Sequence, residues 1–163
     1  MEPRLLFWWR WLVVATCAVL VFGLSMVLLP EPTQKLFNYI YLSSPQGSTT
    51  FGESAIAYIT FISAVLGAVM FGWSVALLYV LFGPFRRRQI EGWRTLAVSL
   101  VAWFIPDTAF SLWSGFWQNA VLNTIMLVLF LIPLAATYEM FKTPPRRTTG
   151  CTGSPINQAP GEP

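Results

Sequence analysis

Asp107 is the residue of this 163-residue chain whose chemistry most needs a partner. It is the one charge-capable side chain well inside a long apolar segment. An acid at the centre of a membrane span costs ~2.5–3.5 kcal/mol on insertion scales, and less nearer the surface. It must therefore face protein or water. Ser111 and Ser114 follow at i+4 and i+7, on roughly the same helical face. Asn119 and Asn123 lie beyond a short uncharged turn, again four apart, with Thr124 adjacent. The spacing predicts one hydrogen-bonded cluster of Asp107, Ser111, Asn119 and Asn123 between two antiparallel helices. No Lys, Arg or His in the spans could neutralise Asp107, so hydrogen bonds are expected to hold it. Intramembrane acids mark proton or solute pathways. They also serve as polar glue between helices. A third arrangement is local. Pro106 has no N–H and its ring clashes with the Ala102 carbonyl, so the helix should kink or break there. Asp107 would then cap amides freed near Phe110.

Other chemistry finds little support. There is no histidine, which removes the commonest metal ligand and the usual general base near neutral pH. Cys17 falls in an apolar run and Cys151 in a polar tail, so no disulfide is expected. Gly-rich phosphate loops, Cys or His metal spacings and Ser–His–acid sets are missing from the sequence. No catalytic residue, metal or cofactor is assigned. A lipid-modifying enzyme would have to rest on Asp107 with Tyr, Ser or Asn helpers, and it is the weakest of the readings.

The elements that must position Asp107 follow from composition. The chain is 55% hydrophobic and only 10% charged, against about 25% charged in an average soluble domain. A span needs about 20 apolar residues to cross ~30 Å of hydrocarbon. Apolar runs predict spans over 11–29, 54–82, 94–113 and 120–138. Phe7, Trp8, Trp9 and Trp11 form an aromatic belt before the first. No small-residue cleavage site follows, so an uncleaved helix is expected. Pro30-Glu31-Pro32 should end that helix. Thr33 should then cap a short helix over 33–42, which either lies on the membrane surface through Leu36, Phe37, Ile40 and Tyr41 or forms an ordered loop. Gly83-Pro84-Phe85 should stop the second span. The segment 43–50 reads as a turn-rich linker. Residues 143–163 read as a disordered tail, leaving 1–142 as one membrane domain.

Charge gives orientation. Arg4 and Arg10 precede the first span. Arg86, Arg87, Arg88 and Arg94 follow the second, and Lys142, Arg146 and Arg147 follow the fourth. Lys35 stands alone on the other side, so nine of the ten cations share one side. The positive-inside rule places both termini in the cytoplasm. The net charge of +3 is thus explained by the membrane rather than by nucleic acid. The basic cluster Arg86, Arg87, Arg88 and Arg94 reads first as a retention signal and second as a site for anionic lipid headgroups.

Ala64, Ala68, Gly72 and Ala76 recur every four residues and predict a helix-packing face. Its partner is another helix of the chain, a second copy, or another membrane protein. The segments Gly83-Pro84-Phe85-Arg86-Arg87, 103–112 (WFIPDTAFSL) and 119–123 (NAVLN) resemble small bacterial four-span membrane proteins with no known activity. That resemblance implies a bacterial inner-membrane setting and no chemistry. The expected fold is an all-α, integral membrane four-helix bundle. Its expected role is structural or accessory, with a small transporter or proton-coupled protein as the alternative.

Overall fold

A computed structural model of the chain describes residues 2–42 and 52–142. The linker 43–50, the tail 143–163 and Cys151 lie outside the described residues. The described residues form five helices: α1 (Pro3–Leu28), α2 (Pro30–Leu42), α3 (Glu53–Val80), α4 (Ile90–Trp113) and α5 (Trp117–Lys142). Four of these, with α3 extended to Phe85, are long and apolar enough to cross a membrane. Only 17% to 33% of the most apolar stretch of each is buried inside the bundle. A monomer in water rarely exposes apolar surface on that scale. The protein is an all-α, multi-pass membrane four-helix bundle.

α1 is the central helix. Leu5, Leu12, Thr16, Val19, Gly23 and Met26 are its buried residues. Their spacing of seven, four, three, four and three keeps one seam facing its neighbours, as in coiled-coil packing. α1 packs along α3 on one flank and α5 on the other, and α4 packs on α5. α3 and α4 meet at the end of α3 and through Trp73 and Trp103, with ring centroids 6.1 Å apart.

α1 and α3 approach to backbone contact. A Cβ added at Gly67 would lie 2.5 Å from the Gly23 carbonyl oxygen, and one at Gly23 would lie 2.8 Å from the Gly67 oxygen. The small residues that bring these backbones together are thus Gly23 and Gly67. Of the four-residue stripe, Ala68, Gly72 and Ala76 are exposed and Ala64 is half-buried. A Cβ at Gly72 would meet nothing within 4 Å. The inward face follows Gly67, Ser74 and Leu77, spaced seven and three, in step with the seam of α1.

Several helix ends differ from the sequence expectation. α1 starts at Pro3 rather than near Trp11, because the belt residues and Arg10 continue the helix into the interface. α1 ends at Leu28, as the prolines led one to expect, and Pro30 and Pro32 themselves open α2. The first turn of a helix has no internal partners for its N–H groups, so proline is tolerated there. Thr33 is buried rather than capping, and its hydroxyl donates to the Leu29 carbonyl at 2.8 Å. α2 turns Phe37 onto Phe22 and donates from the Gln34 amide to the Thr60 hydroxyl, leaving Leu36 and Tyr39 exposed. Gly83 and Pro84 end the regular course of α3, as expected. The backbone kinks at Gly83, whose φ −92°, ψ −106° is not helical. The Trp9 indole N–H donates to the Leu81 carbonyl there at 2.9 Å. α4 runs unbroken through Pro106. Proline removes one rung of the ladder, and helices in lipid tolerate that when neighbours re-satisfy the backbone.

α5 shows such re-satisfaction. Pro133 cannot donate to the carbonyl four residues earlier, that of Leu129. The Trp11 indole N–H donates to that carbonyl instead, at 3.0 Å.

Candidate functional site

The site begins with a turn. Gly115, at φ +84°, follows the α4 C-cap Ser114. Few residues other than glycine enter this left-handed region without strain. The Gly115 N–H donates to the Leu112 carbonyl at 3.3 Å and the Phe116 N–H to the Ser111 carbonyl at 2.9 Å. This bond pair is the Schellman motif, which satisfies carbonyls left open at a helix end. It reverses the chain within three residues, so the last turns of α4 lie against the first turns of α5.

That reversal brings Asp107, Ser111 and Asn119 together. The Asn119 Nδ2 donates to Asp107 Oδ1 at 3.0 Å and to Ser111 Oγ at 2.7 Å. The Ser111 hydroxyl donates to the Asp107 backbone carbonyl at 2.7 Å and lies 3.4 Å from Asp107 Oδ1. Ser111 is buried, while Asp107 and Asn119 are half-buried. Ser114 bonds back to its own helix, donating to the Phe110 carbonyl at 2.7 Å. Asp107 is thus held across the helix pair rather than by capping amides at Phe110.

Asn123 stands apart from this trio. It is buried, and its Nδ2 donates to Thr108 Oγ1 at 3.3 Å. Thr108 was not singled out in the sequence, because a threonine in an apolar helix usually bonds its own i−4 carbonyl, as Thr16, Thr60 and Thr124 do here. Its signal was its place beside Asp107 on the strip that faces α5. The result is two polar layers, Asp107–Ser111–Asn119 and Thr108–Asn123. One residue from Asn119, the enclosed Gln118 Oε1 is an acceptor with no hydrogen-bond partner among the described residues.

The arginines make different contacts. Arg86 sits over the Trp9 ring, 5.3 Å from its centroid. Arg88, at φ 58°, pairs with Glu2 at 2.9 Å and ties the start of α1 to the loop after α3. Arg87 is exposed. Arg94 lies away from these on α4, in a cleft with Lys142. Cys17 is exposed on the outer face of α1.

Chemically, the trio offers a carboxylate gripped by an amide and a hydroxyl, and no nucleophile paired with a base. Comparison of the chain with protein-family models, curated proteins and solved structures found no match in any of the three.

Proposed function

We propose that this protein is a structural or accessory component of the cytoplasmic membrane, with both termini in the cytoplasm, and that Asp107 serves as glue between α4 and α5. One observation carries the reading: the Asn119 amide spans Asp107 and Ser111 at 3.0 and 2.7 Å, so the acid is engaged in joining two helices. Polar side chains that bond across helices act in this way in lipid. The placement of both termini rests on nine cations against one. The bacterial setting rests on the resemblance of the segments around Asp107.

A second reading, a small transporter or proton-coupled protein, draws on two observations. Asp107 is only half-buried, and Gln118 Oε1 has no donor among the described residues. Asp107→Asn separates the two readings, because it removes the proton chemistry and keeps an oxygen for Asn119. The protein reconstituted in liposomes is expected to show no proton flux above protein-free vesicles, in wild type and variant alike. Wild-type flux that disappears in a normally folded Asp107→Asn protein would replace the structural reading with the transport one.

A further inference from the structure

The sequence treats Arg94 as one of a run of arginines and Lys142 as the end of a helix. The fold places them together. Ile90, Trp93 and Arg94 of α4 and Tyr138, Phe141 and Lys142 of α5 line a cleft of about 410 Å³ where α4 starts and α5 ends. We propose that this cleft binds the phosphate of an anionic phospholipid; the proposal rests on the membrane setting but not on the role of Asp107.

The cleft has a built floor. The Trp93 indole N–H donates to the Leu134 carbonyl at 2.9 Å, which fixes the ring. Tyr138 packs on that ring at 5.0 Å between centroids, and the Lys142 ammonium lies 4.5 Å from the Tyr138 centroid. Trp and Tyr favour headgroup depth because each has an apolar body and a polar tip. The two cations come from different helices and converge on one opening. Their acidic neighbours are exposed. Glu139 pairs with Lys142 at 3.6 Å, with side chains 79% and 54% exposed, so water weakens that pair. Glu91 is exposed one turn before Arg94.

The flanks of the cleft favour a lipid over a free phosphate. Below Arg94, the residues Val98, Val101 and Ile105 continue the same exposed strip of α4. Below Lys142 and Tyr138, Leu131 and Val128 do the same on α5. A charged opening at headgroup depth that leads into two apolar strips fits a phosphodiester with acyl chains.

The test uses the full chain purified in a neutral detergent, with retained lipid measured by native mass spectrometry. Phosphatidylglycerol and phosphatidylcholine are added in equal amounts. Wild type is expected to keep phosphatidylglycerol in preference. A basic residue near the surface contributes about 1 kcal/mol to anionic lipid, or about fivefold. Arg94→Gln and Lys142→Gln are each expected to lower the preference about fivefold, and the double variant about thirtyfold. Arg4→Gln/Arg10→Gln removes the same charge elsewhere and should leave the preference unchanged. Millimolar inorganic phosphate should not displace the lipid. Wild-type preference in the double variant, no change in either single variant, an equal loss in the control, or displacement by inorganic phosphate would each overturn the proposal.

Discussion

Asn119 is the residue on which the α4–α5 contact turns. Its single NH₂ group serves both Asp107 and Ser111, so deleting it leaves two acceptors without that donor. Hydrogen bonds between membrane helices average ~0.6 kcal/mol and reach ~1.7. Leaving a buried polar group unsatisfied costs about 1–3 kcal/mol. Asn119→Leu is therefore expected to destabilise the fold by about 1–2 kcal/mol, read from unfolding in mixed micelles. Asn123→Leu should cost less, about 1 kcal/mol, because it strands only the Thr108 hydroxyl. A larger loss at Asn123 than at Asn119 would shift the centre of the cluster to the Thr108 layer. Asp107→Asn should stay within ~1 kcal/mol of wild type, since the new side chain keeps an oxygen to accept from Asn119.

Among the elements, two sites show how lipid changes the rules. Helix backbones can close to contact only where side chains are small. Gly67→Ala puts a methyl 2.5 Å from the Gly23 oxygen and 2.6 Å from Met26 Cβ. Overpacking of this kind costs about 1–3 kcal/mol. Gly72→Ala, with open space around it, should cost almost nothing in the same unfolding measurement. At the second site, Trp11 replaces the N–H that Pro133 lacks. Trp11→Phe strands the Leu129 carbonyl at a cost of about 1–2 kcal/mol. In a Pro133→Ala background the introduced alanine has a backbone N–H that can donate to Leu129, so the same change should cost less. A double-mutant cycle measures the difference. The number of spans was legible in the sequence, because runs of about 20 apolar residues have one explanation in lipid. The trio was legible too, because Asp107 and Ser111 sit one turn apart on one face and a short turn forces the next helix alongside. The starts of α1 and α2 were not legible, since Pro3, Pro30 and Pro32 occupy first turns where proline does no harm. The glycine that packs α3 on α1 was hidden as well. Gly67 stands one position from the Ala68 stripe, and only the seam of α1 decides between them.

For the molecule as a whole, α1 organises the bundle, with α3 and α5 on its flanks and α4 reached through α5. Glu2, Trp9 and Trp11 near its start bond to Arg88 after α3, the Leu81 carbonyl and α5. Truncation of residues 1–10 removes Leu5, Trp9 and the Glu2 pair, and is expected to lower the folded yield at least severalfold in membrane extracts. The account depends most on a four-span chain with both ends on one side. Cysteine labelling from each side of sealed vesicles tests this directly. With Cys17→Ala as background, the native Cys151 reports the tail, Gln89→Cys the loop after α3, and Lys35→Cys the opposite end. The account predicts that Cys151 and position 89 react from the cytoplasmic side and position 35 from the other. Reaction of Cys151 and position 89 from opposite sides, or of all three from the same side, would contradict it.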